Sequence, residues 1–131
     1  MDDCIFCKII KGDIPCMKIW EDDNFLAFLD IKPLTEGMTL VIPKEHRDSS
    51  VFNNSEKDIC DITCASKKVA KILENKLPIE RVVLLFEGIE INHLHAKLVP
   101  IKGGENLKTL LTENTYKPSI VELEELHKYL N

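Results

Sequence analysis

One long amphipathic helix pattern, with short strand patterns on both sides, constrains the fold of this chain more than any other feature. Ser55 is a typical N-cap residue and Pro78 interrupts the pattern, so a helix is predicted over residues 55–76. Asp58, three positions after Ser55, completes a variant capping box. The apolar stripe at helical spacing consists of Ile59, Cys60, Ile62, Ala65, Val69, Ile72 and Leu73.

Five segments have the composition of β-strands, at residues 17–21, 25–29, 38–42, 81–86 and 89–100. The segment 81–86 is a nearly continuous apolar run, which predicts a buried strand. Gly88 turns the chain so that the fifth strand returns antiparallel. Further helices are predicted over residues 4–11, over residues 107–111 and after Ser119, where Glu122 completes a capping box.

These elements predict an α+β fold, with a five-stranded antiparallel sheet in meander order, a long helix and a C-terminal helix. The length of 131 residues suits one domain, with a core over residues 4–101 and a C-terminal extension over 102–131. The net charge of -5 argues against binding to a nucleic acid polymer. No apolar run approaches the roughly 20 residues of a membrane span, and no signal-peptide pattern is present, so a cytoplasmic location is expected.

The five cysteines are an odd number, which argues against a disulfide framework and leaves reduced thiols able to bind a metal. Cys60 and Cys64, four positions apart on the long helix, are interpreted as small buried residues. Cys16 is interpreted as inert.

A metal site is one interpretation of the pair Cys4-x-x-Cys7, because two thiolates can chelate one Zn²⁺ and two further ligands would close a tetrahedral site. Of the four histidines, His46 follows the third strand and His93 begins the last one, whereas His127 lies in the terminal helix. A structural or redox cysteine pair remains the alternative, although a redox pair usually begins a helix that follows a strand.

An anion-binding face is predicted at His93, His95 and Lys97, because alternate residues of a strand project from the same side. His95 is a candidate nucleophile or general base, and a nearby lysine disfavours its protonated form. The alternative is a solvated polar edge of the sheet. Asp30, at the end of the second strand, is suited either to accept ribose hydroxyls or to cap a turn.

The chain resembles the histidine triad (HIT) family of nucleotide hydrolases and transferases. The matching segments occur in family order and are CIFCKIIKGDIP (4–15), WEDD (20–23), FLAFLDIKP (25–33), GMTLVIPKEH (37–46) and HLHAKLVP (93–100). The resemblance implies a five-stranded antiparallel sheet that joins the sheet of a second copy in a homodimer. We expect that contact at residues 66–76 and 81–86, because a sheet edge needs covering.

The resemblance also implies the roles of individual residues. His95 would attack the α-phosphate of a nucleotide or nucleotide conjugate and form a covalent nucleotidyl intermediate. Asp30 would bind the ribose, and an apolar pocket for the base would consist of Phe6, Ile14, Phe28 and Ile31. A structural Zn²⁺ would be held by Cys4, Cys7, His46 and His93.

Three departures from the family pattern bear on function. The third triad position is Lys97, a supporting histidine is replaced by Met38, and the usual phosphate ligands before the triad are missing, leaving Glu90 and Asn92. Lys97, as a fixed charge, is expected to bind phosphate oxygens and to favour good leaving groups such as pyrophosphate. The predicted function is a nucleotidyl hydrolase or transferase in which His95 and Lys97 act; the alternative is a non-catalytic nucleotide-binding or zinc-stabilised interaction module.

Overall fold

A computed structural model describes residues 3–131 of the chain. Five antiparallel strands form one sheet, as predicted. The strands are β1 Lys18–Glu21, β2 Phe25–Leu29, β3 Thr39–Pro43, β4 Arg81–Leu85 and β5 Ala96–Ile101. The helices are α1 Ile5–Lys11, α2 Glu56–Lys76, α3 Leu107–Thr112 and α4 Ile120–Leu130, with a short 3₁₀ helix at Val51–Asn53.

The strand order is β1-β2-β3-β5-β4, so the predicted meander order is wrong at its last step. The long helix α2 connects β3 to β4, and β5 then turns back to lie between them. Strand β4 is consequently an edge, and the prediction that it is buried is also wrong, since Leu84 is 40% exposed. An apolar run without an alternating pattern does not distinguish a central strand from an edge strand that has another surface to cover.

The main core lies between α2 and one face of the sheet. Ile62, Val69 and Leu73 of α2 are fully buried and belong to one cluster with Val41 and Leu98 of the sheet. The Ser55 hydroxyl caps α2 by accepting the N–H of Asp58 at 3.1 Å. The Asp58 carboxylate, however, accepts a hydrogen bond from Arg47 at 2.9 Å, so the predicted variant capping box is only half formed.

Cys60 and Cys64 are exposed on α2, which corrects the prediction that they are buried. Spacing of i, i+4 places two residues on the same side of a helix, but it does not decide whether that side faces the core. Here the core side is already occupied by the larger residues Ile62 and Val69.

The opposite face of the sheet is covered by α1 through the buried side chain of Phe6, which packs with Phe28, Leu40 and Ile42. Gly12 ends α1 in the left-handed conformation, with φ of 87°, and its N–H bonds back to the carbonyl of Ile9. The chain then passes along this face toward β1.

The C-terminal helix α4 packs against α2 and β1. Ser119 and Glu122 form the complete capping box that the sequence predicts. Leu123 and Leu130 are buried, and the Lys18 carbonyl accepts a hydrogen bond from the His127 imidazole at 2.7 Å. Across residues 3–131, the helices are all too short or too polar to cross a membrane.

Candidate metal centre and the adjoining cleft

Four potential metal ligands converge from three parts of the chain. Cys4 and Cys7 lie at the start of α1, His46 follows β3, and His93 precedes β5. Their ligand atoms all lie within 4.8 Å of one another. The distances from sulfur to Nδ1 are 3.3 Å for Cys4–His93, 3.4 Å for Cys7–His46 and 3.5 Å for Cys7–His93.

These distances fit the coordination shell of a zinc ion. Zn–S bonds of about 2.3 Å and Zn–N bonds of about 2.0 Å at a tetrahedral angle separate sulfur from nitrogen by roughly 3.5 Å. The Nε2 of His93 donates a hydrogen bond to the Pro43 carbonyl at 2.8 Å, which leaves Nδ1 unprotonated toward the thiols. Burial lowers the pKa of His93 and thereby favours the neutral ring that a metal requires.

His95 lies directly beside this cluster, but not on a strand. Strand β5 begins at Ala96, so the prediction of a strand over residues 89–100 is wrong in its first half. The N–H of Leu94 bonds to the Arg47 carbonyl in the loop after β3, outside the strand ladder. The rings of His93 and His95 nevertheless both contact the ring of Phe6, at centroid distances of 5.8 and 5.2 Å.

The hydrogen bonding of His95 leaves one ring nitrogen unprotonated. Its Nδ1 lies 2.7 Å from the carbonyl oxygen of His93, and because a carbonyl can only accept, Nδ1 carries the proton. In the neutral ring, Nε2 then has a free lone pair. Burial lowers the pKa of His95, and the Lys97 cation lowers it further, against the opposite effect of the hydrogen bond to His93.

Lys97 forms an ion pair that the sequence analysis did not anticipate. Its Nζ lies 2.7 Å from Oε2 of Glu87, while Oε1 of Glu87 accepts the N–H of Ile89 at 2.8 Å. The hydrogen bond from Lys97 holds the pKa of Glu87 below its usual range, so this carboxylate is charged at neutral pH. The antiparallel register of β4 and β5, with Leu85 opposite Lys97, is the signal by which Glu87 could have been found.

His95 and Lys97 line a cleft of about 550 Å³ on the α1 side of the sheet. Six of the seven predicted nucleotide-binding residues line the same cleft, namely Phe6, Ile14, Phe28, Asp30, Ile31 and Glu90. Asn92 does not line it, and its side-chain oxygen accepts the N–H of Ser49 at 3.2 Å. Residues that the sequence analysis missed include Ile5, Leu40, Glu87 and Ile120.

Asp30 caps a turn, which is one of the two interpretations made from the sequence. Its Oδ1 accepts the N–H of Lys32 at 2.8 Å, as a turn-capping aspartate does. The same side chain lines the cleft. The turn therefore fixes one carboxylate oxygen of a side chain that borders the cleft, and the binding of ribose by Asp30 stays a prediction.

A larger depression of about 890 Å³ lies on the α2 side of the sheet, away from the histidines. Several of its charged side chains are paired with one another, as in Arg47–Asp58 and Lys57–Asp61. No nucleophile or metal-ligand cluster lies there within the described part of the chain, apart from the exposed thiol of Cys64. The cleft at His95 is therefore the better candidate site.

The HIT domain family model matches residues 11–128, and the chain belongs to this family, as its motifs indicate. The chain is 42% identical over 107 residues to an adenosine 5'-monophosphoramidase of Schizosaccharomyces pombe, covering 78% of this chain and 77% of the relative.

Two solved structures share its fold. A hypothetical histidine triad nucleotide-binding protein from Sulfolobus tokodaii has a TM-score of 0.81 at 26% identity, covering 97% of this chain and 89% of that one. A zinc-bound histidine triad family protein from Mycobacterium smegmatis has a TM-score of 0.77 at 27% identity, covering 98% and 94%. The predicted family and fold are thereby confirmed.

Proposed function

We propose that this protein hydrolyses nucleoside 5'-phosphoramidates through a covalent nucleotidyl intermediate on His95. The observation that carries the proposal is the buried imidazole of His95, whose Nδ1 is bonded to the His93 carbonyl and whose Nε2 is left as a nucleophile beside the cleft. A solvated strand residue would need neither this burial nor this hydrogen bond.

The strand register supports a ligand that lies across the sheet. Phe28 is paired with Leu40, and Leu40 with Lys97, so these three cleft residues form a row over β2, β3 and β5. Two strand spacings separate Phe28 from Lys97 by roughly 10 Å. The base would occupy the apolar end near Phe28, and the α-phosphate would lie at the end near His95.

Asp30 would bind the ribose between these ends. Its carboxylate is fixed by the N–H of Lys32 and lies in the cleft lining with Phe28 and Ile31. A carboxylate can accept hydrogen bonds from two neighbouring hydroxyls, whereas it repels a phosphate. This assignment orients the nucleotide with its phosphate away from Asp30.

The reaction would proceed in two displacements at phosphorus. In the first, Nε2 of His95 attacks, a bond from nitrogen to phosphorus forms, the bond to the leaving amine breaks, and the amine takes up a proton from solvent water. In the second, the oxygen of a water molecule bonds to phosphorus, the bond from His95 Nε2 to phosphorus breaks, and the proton of the water returns to solvent, which releases the nucleoside monophosphate and regenerates neutral His95. Lys97 would hydrogen-bond a phosphate oxygen as the negative charge shifts.

The charges in the cleft support a phosphoramidate over a polyphosphate. The expectation that Lys97 favours pyrophosphate as leaving group treated this lysine as unpaired, whereas its charge is offset by Glu87. Three carboxylates line the cleft against two lysines: Asp30, Glu87 and Glu90 against Lys32 and Lys97. A long anionic chain would be repelled, and an amine leaving group would not. The similarity to the S. pombe monophosphoramidase supports the same choice.

We also propose that Zn²⁺ is the resident metal of Cys4, Cys7, His46 and His93. The two sulfur and two nitrogen donors and their spacing support zinc, as does the zinc-bound relative of the same fold. The ion would fasten α1, which lines the cleft, to the segment that follows β3 and to the segment that precedes β5. Its role is structural, because all four positions of a tetrahedral shell are filled by the protein.

The test is incubation with adenosine 5'-phosphoramidate, followed by intact-protein mass spectrometry and measurement of AMP release. We expect a transient adenylyl adduct, which peptide mapping assigns to His95. His95→Ala should lose both the adduct and turnover while keeping AMP binding. Binding of AMP without turnover, and no effect of His95→Ala, would instead identify the alternative, a non-catalytic nucleotide-binding module.

A further inference from the structure

Three large apolar side chains are exposed around the cleft, and they come from three separate parts of the chain. Ile5 is 43% exposed, Ile31 is 64% exposed and Ile120 is 58% exposed, and all three line the cleft. Single exposed isoleucines are ordinary on protein surfaces. Three that line one cleft provide apolar surface that a flat ligand can cover.

Ile120 comes from the C-terminal extension and lies at the first position of α4. The capping box of Ser119 and Glu122 fixes the start of this helix, and its end is held by hydrogen bonds to the Lys18 carbonyl from His127 and Asn131. Buried Leu123 anchors the first turns in the core. The position of Ile120 is therefore set by a docked helix rather than by a loose tail.

The helix that begins at Ile120 packs against β1, which is paired with β2. The cleft lining also includes Ile14, Met17 and Ile31, which are apolar, while the charged pair of Lys97 and Glu87 lies on the β5 side. Contact with apolar side chains would stabilise binding of the aromatic base, because it removes apolar surface from water. The ribose and phosphate would instead be bound by the polar side chains of the cleft.

We propose that Ile120 forms an outer wall of the nucleobase subsite, so that the C-terminal helix takes part in ligand binding. This inference rests on the proposed function, because it assumes that a nucleotide occupies the cleft. It adds a contact from a segment beyond residue 101, whereas the motifs of the sequence end at residue 100. Loss of this contact would expose one side of the base to water.

The neighbouring residue offers a matched control for this contact. Val121 has the same exposure of 58% and lies in the same first turn of α4, but it does not line the cleft. Ile120→Ala and Val121→Ala therefore make similar changes to helix propensity and to the surface. Ile120→Met keeps an apolar side chain of similar size at the position.

The experiment is calorimetric titration of each variant with AMP and with ribose 5-phosphate, which lacks the base. Removing about 40 Å² of apolar contact weakens binding on the order of fivefold. We expect this loss for AMP with Ile120→Ala, no loss with Val121→Ala, and near wild-type affinity with Ile120→Met. Affinity for ribose 5-phosphate should be the same in all four proteins.

Two results would overturn the inference while leaving the proposed function intact. One is equal AMP affinity of Ile120→Ala and the wild type; the other is an equal loss with Val121→Ala, which would indicate an effect on α4 as a whole. If the wild-type protein binds no AMP at all, the proposed function fails, and the inference fails with it. Melting temperatures of the three variants verify that each is folded.

Discussion

The carbonyl oxygen of His93 accepts the hydrogen bond from Nδ1 of His95 at 2.7 Å, while the side chain of His93 belongs to the metal cluster. One residue thus joins the candidate metal centre to the candidate nucleophile. A displacement of His93 on metal loss would move the carbonyl that orients His95. Metal binding and catalysis should therefore be coupled, although the ion itself is not at the reacting phosphorus.

Cys7→Ser should remove the metal and reduce turnover together. We expect zinc content to fall from about one ion per chain, the melting temperature to drop, and turnover to fall roughly tenfold or more, as when the support of a site is lost. Metal analysis, thermal unfolding and AMP release measure the three effects. Cys60→Ser is the control, because Cys60 is an exposed thiol on α2 and should change none of them. Full turnover in metal-free protein would contradict the coupling.

Glu87→Gln should strengthen phosphate binding by freeing Lys97. The pair is partly exposed, so its loss should change the free energy of unfolding by less than about 1 kcal/mol. AMP affinity should rise several-fold and become more sensitive to salt, whereas Lys97→Ala should lower it. Titrations at two salt concentrations measure both effects.

The control for Glu87→Gln is Glu45→Gln, which makes the same charge change outside the cleft. Because the pKa of Glu87 is lowered, the ion pair is fully present above the ordinary glutamate value of about 4.3 and is lost only as the pH falls below it. The difference between Glu87→Gln and wild type should therefore persist from pH 6 to pH 8. An unchanged AMP affinity would mean that Lys97 does not contact the phosphate.

Met38→His places a histidine where the family pattern has one, but this variant should be less stable and should not have higher turnover. Met38 is 2% exposed and packs with Val99 and Ile101, and its sulfur accepts the N–H of Leu34 at 3.2 Å. An imidazole there would be buried among apolar side chains, with an expected loss of about 1–3 kcal/mol in the free energy of unfolding. Urea unfolding measures the loss, and Met38→Leu should cost less than about 1.5 kcal/mol. Raised turnover with unchanged stability would refute this expectation.

The homodimer stays a prediction, and the edge position of β4 supports it. As an edge strand, β4 leaves the backbone N–H and C=O groups of its outer side without a neighbouring strand. Its residue Leu84 is 40% exposed. Leu84→Lys should shift the protein toward its monomer mass of 15.0 kDa in sedimentation at micromolar concentration. Leu111→Lys, at an exposed leucine of α3, should not. A wild-type protein that sediments as a monomer would end this prediction.

Local patterns were sufficient for most elements of this fold. The caps at Ser55 and Ser119 and the breaks at Gly12 and Pro78 act within a few residues, so the bounds of the first three helices and the start of the last were predicted to within one residue. Sequence motifs likewise indicated the four potential metal ligands and their order, which are Cys4, Cys7, His46 and His93. Their meeting within 4.8 Å agrees with what the family resemblance implied.

Tertiary structure decided what depends on contacts between distant segments. The insertion of β5 between β3 and β4 made β4 an edge strand. The backbone N–H of Leu94 bonds to the Arg47 carbonyl outside the sheet, and β5 begins only after the two histidines. The same long-range packing paired Lys97 with Glu87 and brought Ile120 to the cleft. The sequence by itself determined the residue types, the helix ends and the family, because these follow from local chemistry and spacing. Only the folded chain determined which charges are offset and which apolar side chains border the cleft, because both depend on neighbours remote in sequence.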